Sequence, residues 1–200
     1  MNVSLQCRCG ILRGFVADPQ QGNRAVCYCS DCQAFARYLG HADDILDRHG
    51  GTEVVATTPM KLQFTQGADA LACMSLSPKG LLRWYADCCK TPIGATPRNS
   101  RTAYVGLVHN CLQREGEPVP AAFGPIRIHT NVASASSPPG AGTGVLATGW
   151  ALARIVKALA AARLSGSHRQ TPFFTGTPPV PIKAPVVLTL EQRKRLSPGA

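Results

Sequence analysis

Seven of the nine cysteines in this 200-residue chain lie in three short groups. These groups are Cys7-x-Cys9, Cys27-x-Cys29-x-x-Cys32 and the adjacent pair Cys88-Cys89. Zinc takes about four soft ligands at roughly 2.3 Å, and cysteines one or two residues apart can reach the same ion from a single turn. The grouping therefore predicts a zinc-binding protein.

A disulfide framework is the alternative interpretation of so many cysteines, but it is typical of small secreted chains. The chain begins Met-Asn-Val-Ser-Leu-Gln, which has neither the basic nor the apolar segment of a secretory signal peptide. Adjacent Cys88 and Cys89 are also poorly placed to meet disulfide geometry with each other. We therefore expect reduced cysteines and a cytoplasmic protein. Cys73 and Cys111 lie in apolar, strand-like surroundings and are expected to be buried core thiols.

Short strands are predicted to position the cysteine groups. The strand-like segments are 3–16, 24–28, 53–57, 60–65, 71–76 and 81–85. Ser30 is predicted to cap a short helix running to Leu39, which places Cys32 in the first turn, where the helix dipole favours a thiolate. The last predicted hairpin delivers Cys88 and Cys89 directly after a strand. This pair can then return to meet Cys7 and Cys9 and close one metal site, as metals often do in small β domains.

The ordered motifs of the chain resemble a known family. They read Cys7-Arg-Cys9-Gly10, Cys27-Tyr-Cys29-Ser-Asp-Cys32 and Cys88-Cys89-Lys-Thr-Pro92. They are similar to those of the glutathione-dependent formaldehyde-activating enzymes and centromere protein V (GFA/CENP-V), over roughly residues 1–130, and most of all to an uncharacterised bacterial branch. The resemblance implies a mainly β, Mss4-like fold, a zinc-bound antiparallel β-tent with short helices. It also implies one structural zinc, held by the first and last groups, and a second zinc near the substrate, held by the middle group.

The chain departs from the usual family pattern at three positions. The family's last motif is Cys-x-x-Cys-Gly-Thr-Pro, so Cys89 matches its second cysteine, Ala86 stands in place of its first, and Lys90 replaces glycine. Tyr28 stands where the family usually has histidine. Cys88 can substitute for the missing cysteine, but neighbouring residues of a strand point to opposite faces. Both Cys88 and Cys89 can therefore reach one ion only if the backbone turns there.

The middle group is the predicted catalytic site. Three thiolates leave the fourth zinc position open unless His41, His49 or His109 closes it. Zinc with three thiolates carries a net charge of about −1, which disfavours hydroxide formation and suits an incoming thiol. The resemblance implies reversible adduct formation between glutathione and formaldehyde, so that Cys27, Cys29 and Cys32 would serve a carbon–sulfur lyase. The alternative is a non-catalytic zinc module that binds a protein or a nucleic acid.

Residues 131–200 are predicted to form an extension beyond the β domain of residues 1–130. They comprise a Pro/Gly-rich linker, an amphipathic helix over 145–162 that presents Leu152, Ile155, Val156 and Leu159 on one face, and a solvated basic tail at 191–196. The formal net charge is +10, and residues 98–200 carry twelve Lys/Arg against three Asp/Glu. No membrane span is expected, and nucleic-acid binding is disfavoured because no dense basic run alternates with aromatics. The helix is expected to pack on the β domain or on a second subunit, which would make a homo-oligomer.

Overall fold

The computed structural model describes residues 1–112, 117–140 and 145–197, and its regular structure is mainly β, as predicted. The strands are β1 (Asn2–Gln6), β2 (Arg13–Ala17), β3 (Asn23–Cys27), β4 (Thr52–Thr57), β5 (Leu62–Gln66), β6 (Leu71–Ser75), β7 (Leu82–Ala86), β8 (Thr91–Thr96), β9 (Val105–Val108), β10 (Ile126–Thr130), β11 (Phe174–Thr175), β12 (Val180–Pro181) and β13 (Val186–Val187). The α-helices are α1 (Ser30–Tyr38), α2 (Ala42–Ile45), α3 (Val145–Leu164) and α4 (Leu190–Leu196).

The strands form one large sheet and two small ones. The large sheet has the order β10-β3-β4-β9-β8-β7-β6-β13, while β1-β2-β5 and β11-β12 form separate sheets. The predicted antiparallel pairing holds inside the large sheet, but both of its edge pairs, β10 with β3 and β13 with β6, are parallel. A parallel partner needs a long connection before it. The stretches of chain that precede β10 and β13 are long enough to return the chain in the same direction.

The N-cap of helix α1 is Cys29, one residue before the predicted cap Ser30. Cys29 has the extended backbone of an N-cap, and its Sγ accepts a hydrogen bond from the backbone N–H of Cys32, whereas Ser30 is already helical. The helix stops at Tyr38 because Gly40 adopts φ of 76°, a left-handed conformation that suits the residue after a helix. Cys32 therefore lies in the first turn, as predicted.

The two faces of the large sheet cover different cores. Alternate residues of a strand point to opposite faces, so Trp84 of β7 packs into the main core with the three-stranded sheet, including Leu5, Val16 and Leu62. Tyr85 points the other way and packs against Phe35 of α1 in a second core. This arrangement places helix α1, and with it the middle cysteine group, on the face of β7 opposite to Trp84.

Residues beyond 130 contribute to both cores. Phe173 is fully buried against the Trp84 ring, with 5.0 Å between ring centroids. Strand β13 extends the large sheet beyond β6, and Leu188 is buried in the second core. The segment 191–196, expected as a solvated tail, forms part of α4 and packs against α1, while Glu191, Gln192, Lys194 and Arg195 are exposed as expected. The boundary at residue 130 stays a prediction, and residues 141–144 of the expected linker lie outside the described residues.

Helix α3 forms at the predicted place but not with the predicted buried face. Ala151 is buried against Ala25 and Ile128, and Ile155 packs beside them. Leu152 and Val156, which were expected on the same face, are 50% and 63% exposed. The small alanine side chain allows close approach to β3 and β10, so the helix is rotated relative to the expected stripe. Among the described residues, no helix is both long and apolar enough to cross a bilayer.

Candidate metal centres

The first and last cysteine groups meet in one four-cysteine centre. The ligand atoms of Cys7, Cys9, Cys88 and Cys89 all lie within 4.8 Å of one another. The Sγ of Cys88 is 3.2 Å from that of Cys9 and 3.8 Å from that of Cys7. A tetrahedral ion with bonds of about 2.3 Å separates its sulfur ligands by about 3.8 Å. The four thiols therefore fit a closed metal site, and the donor set suits zinc.

A tight turn lets two adjacent cysteines reach the same centre. Residues 87–90 form the turn between β7 and β8, and Lys90 adopts φ of 55°. This left-handed conformation is unfavourable for a residue with a side chain and is the one that glycine adopts without strain. The turn removes the alternation of a strand, so Cys88 and Cys89 both face Cys7 and Cys9. Cys88, which was expected to substitute for a cysteine at position 86, lies inside the group.

The two loops of the four-cysteine centre are braced by one threonine. The Thr91 Oγ1 accepts a hydrogen bond from the backbone N–H of Arg8 at 3.0 Å and lies 3.1 Å from the Cys89 Sγ. On the other side, the backbone N–H of Leu12 donates to the Cys7 Sγ at 3.3 Å. These donors stabilise negative charge on sulfur. They also hold the N-terminal loop against the turn at residues 87–90.

The thiols of this centre differ in how easily they ionise. Burial raises the pKa of Cys7, and burial together with neighbouring thiols raises that of Cys88. For Cys89, burial acts in the same direction, but hydrogen bonds from the Thr91 hydroxyl and from backbone N–H groups outweigh it and lower the pKa to about 6. A bound dication would favour the thiolate form of all four.

The middle group forms a second, three-cysteine centre. The ligand atoms of Cys27, Cys29 and Cys32 lie within 4.8 Å of one another, with 3.3 Å between the sulfurs of Cys27 and Cys29. Strand β3 ends at Cys27 and helix α1 begins after Cys29, so the three thiols sit on one strand-to-helix corner. Within the described part of the chain, no histidine, carboxylate or further cysteine completes this group.

Hydrogen bonds concentrate negative charge on one sulfur of the three-cysteine centre. Bonds from the Cys29 and Cys32 thiols strongly lower the pKa of Cys27. The same interaction with Cys27 raises the pKa of Cys29 and that of Cys32. The arrangement therefore favours the thiolate form at Cys27 over that at Cys29 and Cys32. The three sulfurs are a suitable set of soft ligands for a metal ion.

Three residues that the sequence prediction missed surround this centre. Arg83, only 4% exposed, lies in β7 with its Nη1 3.9 Å from the Cys32 Sγ. The Asn131 amide donates to the Cys27 Sγ at 3.5 Å. Burial, together with the negative charge of the three-cysteine centre, raises the pKa of Tyr104 to about 12, so its phenol stays protonated. Only Arg83 left a signal in the sequence, as a charge inside the otherwise apolar segment 81–85.

None of the three candidate histidines joins the three-cysteine centre. His41 lies beside the other centre, where its Nε2 accepts a hydrogen bond from Arg8 at 3.0 Å. His49 lies between Arg48 and Ser137. His109 has its Nδ1 3.2 Å from the Glu53 carbonyl oxygen, and burial lowers its pKa.

The two remaining cysteines lie in the core, as predicted. Cys73 and Cys111 are both buried, and both belong to the main core. Burial raises the pKa of Cys73 to about 12 and raises that of Cys111 as well. Neither takes part in a metal-binding group within the described residues. They therefore act as protonated apolar side chains.

Comparison with known proteins places the chain in a family. Residues 1–183 match DUF6151, a family of unknown function. The chain belongs to this DUF6151 family. No curated protein matches the sequence. A crystal structure of a Rhodobacter sphaeroides protein is similar to this DUF6151 chain at 21% identity and a TM-score of 0.40, covering 64% of this chain and 99% of its own.

Proposed function

We propose that this DUF6151 protein is a zinc protein of the GFA/CENP-V type with an Mss4-like β-tent, in which the two cysteine centres have different roles. The four-cysteine centre is structural, and the three-cysteine centre handles a thiol such as glutathione as a carbon–sulfur lyase does. The difference between the two centres is the observation that carries this proposal. One group offers four thiols, whereas the other offers three, with no further histidine, cysteine or carboxylate beside them in the described residues.

The charges around the three-cysteine centre favour a thiol as the incoming group. Zinc held by three thiolates supplies a Lewis-acidic position for one more soft ligand, which lowers the pKa of a thiol that occupies it. The Arg83 guanidinium offsets the excess negative charge of the three sulfurs from within the protein interior. The Asn131 amide, 3.5 Å from the Cys27 Sγ, favours the anionic form of that sulfur.

The proposed reaction needs no redox partner. A thiol adds to formaldehyde, a carbon–sulfur bond forms, and the proton of the thiol ends on the former carbonyl oxygen, which gives a hydroxymethyl thioether. The reverse reaction breaks the same bond. In this chain, Cys27, Cys29 and Cys32 would hold the metal, while Arg83 and Asn131 would control the charge of the site. Because the Cys29 Sγ also caps helix α1, the backbone N–H of Cys32 fixes the orientation of this sulfur.

The decisive test measures zinc and thiol binding together. We would determine zinc per chain by elemental analysis before and after a mild chelator, and follow glutathione binding by calorimetry on both samples. We expect two zinc ions, of which one is removed together with glutathione binding. Cys29→Ser should abolish glutathione binding in a folded protein, whereas Cys9→Ser, its matched control in the other centre, should lower the melting temperature first.

The alternative, a non-catalytic zinc module that binds a macromolecule, makes different predictions. Two zinc ions that both resist the chelator, without glutathione binding, would favour it. Unfolding of Cys29→Ser to the same degree as Cys9→Ser would also contradict a substrate role for the three-cysteine centre. Formation of the hydroxymethyl adduct, followed by NMR at a rate above the uncatalysed reaction, would separate an enzyme from a protein that only binds thiols.

A further inference from the structure

A basic cavity lies away from both cysteine centres. Its volume is about 980 Å³, and three separate parts of the chain line it: the loop between β8 and β9, the end of α3 with the turn that follows, and the β11–β12 hairpin. Phe174 lines it, and the ring of this residue packs on Trp84, with 6.5 Å between centroids. Since Trp84 and Arg83 point to opposite faces of β7, the cavity lies on the other side of the large sheet from Cys32.

Three arginines converge on this cavity without any acidic neighbour. Arg101, Arg163 and Arg169 line it together with His168, and none of the lining residues is an aspartate or a glutamate. Within residues 1–112, 117–140 and 145–197, the side chains of Arg101 and Arg169 form no hydrogen bond and no ion pair. Three positive charges in one concavity repel one another, so an anion that neutralises them binds favourably.

His168 orients one of these arginines. The Nη1 of Arg163 donates to the Nε2 of His168 at 3.0 Å, and the Nδ1 of His168 lies 3.3 Å from the Ala162 carbonyl oxygen. The tautomer that carries its proton on Nδ1 satisfies both contacts, since it donates to the carbonyl and accepts from the guanidinium. His168 therefore acts as a positioning residue, which leaves the other N–H groups of Arg163 available for a ligand.

The size and the wall of the cavity restrict the ligand class. A volume of about 980 Å³ lies at the upper end of the range for small-molecule sites, so one inorganic anion would leave most of it filled with water. The guanidinium fork matches phosphate oxygens in bidentate geometry. Phe174, Pro178 and Pro179 add an apolar wall on which a planar group can lie. We propose that this cavity binds a phosphorylated small molecule of nucleotide size.

Calorimetry on the full-length protein with ADP as the probe tests this site. Arg163→Gln and Arg169→Gln should each weaken ADP binding roughly tenfold, because a charge-assisted hydrogen bond to phosphate is lost. Arg195→Gln removes the same charge from an exposed position of α4 outside the cavity and should change the Kd less than about twofold. His168→Ala should weaken ADP binding in the wild-type background but not in Arg163→Gln.

Binding of other anions tests whether the cavity selects a phosphorylated small molecule. Inorganic phosphate should bind more weakly than ADP, and citrate should not displace ADP at equal concentration. Equal competition by citrate would overturn the assignment to phosphate. Tight binding of a single-stranded oligonucleotide without binding of ADP would assign the surface to nucleic acid instead. An unchanged ADP affinity in both Arg163→Gln and Arg169→Gln would reject the cavity as the site.

Discussion

The Arg83 Nη1 lies 3.9 Å from the Cys32 Sγ, and the same guanidinium stacks over the Phe35 ring at 5.3 Å from its centroid. A buried arginine needs a compensating negative charge. Here the charge comes from the sulfurs of the three-cysteine centre and from Asp31, whose carboxylate lies 3.9 Å from the Arg83 Nη2. Strand β7 and helix α1 thus place the Arg83 guanidinium next to the sulfurs of the three-cysteine centre.

Loss of the Arg83 charge should weaken metal binding at the three-cysteine centre alone. We expect Arg83→Met to lower zinc affinity there by about tenfold, the lower end of effects seen for residues around metal ligands. Arg83→Lys keeps the charge but loses the planar stacking on Phe35, so it should lower zinc affinity at this centre less than Arg83→Met does. Zinc release to a competing chelator measures both. Lys79→Met, an exposed charge removed from a turn, is the control, and equal zinc loss from both centres would contradict this prediction.

The left-handed conformation of Lys90 should make its replacement by glycine stabilising. A side chain at φ near +55° costs about 1–2 kcal/mol, and the exposed pair with Asp87 returns little of this. We expect Lys90→Gly to raise the melting temperature by about 2–4 °C. Thermal unfolding followed by circular dichroism checks this. Lys79→Gly, at a position without positive φ, should lower the melting temperature instead. The prediction fails if the melting temperatures of both variants shift in the same direction.

In the metal-free four-cysteine centre, the Cys89 thiol should titrate at lower pH than the thiols of Cys7 and Cys88. Its folded pKa of about 6 lies below the ordinary cysteine value of 9.0. The folded state therefore holds fewer protons between these two values, so this group adds stability above pH 9 that is lost as the pH falls towards 6. Alkylation by iodoacetamide, read by peptide mass spectrometry against pH, should show half-maximal modification of Cys89 near pH 6.

Thr91 provides the control for this titration. Its Oγ1 lies 3.1 Å from the Cys89 Sγ. Of the hydrogen bonds that lower the pKa of this thiol, the one from the Thr91 hydroxyl has the largest effect. Thr91→Val keeps the shape of the side chain but removes the hydroxyl, so the half-point for Cys89 should move to higher pH. If the profile of Thr91→Val coincides with that of the wild type, the hydroxyl does not set the pKa of Cys89.

Asp31 joins the C-terminal helix to the three-cysteine corner. Its Oδ1 pairs with the Arg193 Nη2 of α4 at 2.9 Å, while its Oδ2 faces Arg83. Arg193→Gln should cost only about 0.2–1 kcal/mol in the free energy of unfolding, because that pair is partly exposed. Asp31→Asn should cost about 1–3 kcal/mol, since buried Arg83 then loses its carboxylate.

Chemical denaturation of both single variants and of the double variant measures these changes in the free energy of unfolding. We expect the effect of Arg193→Gln to disappear in the Asp31→Asn background, because the ion pair is already absent there. Additive effects of the two substitutions would mean that Arg193 stabilises α4 without Asp31. If Asp31→Asn lowers the free energy of unfolding no more than Arg193→Gln does, Arg83 does not depend on this carboxylate.

The sequence by itself determined the local part of this protein. The spacing within each cysteine group, the short strands and the start of α1 near Cys32 depend on neighbouring residues, and all are present in the structure. Turn chemistry and short-range periodicity act over a few residues, so a single sequence contains enough information to predict them.

Apart from the expected meeting of Cys7 and Cys9 with Cys88 and Cys89, only the tertiary structure decided which distant residues meet. Arg83 and Cys32, for example, are 51 positions apart. Such contacts follow from strand register and from which face of a strand is buried, and these depend on packing across the whole sheet. The parallel edge strands, the burial of Phe173 and the docking of α4 arise in the same way, because segments with weak local signals are ordered by the surfaces they cover.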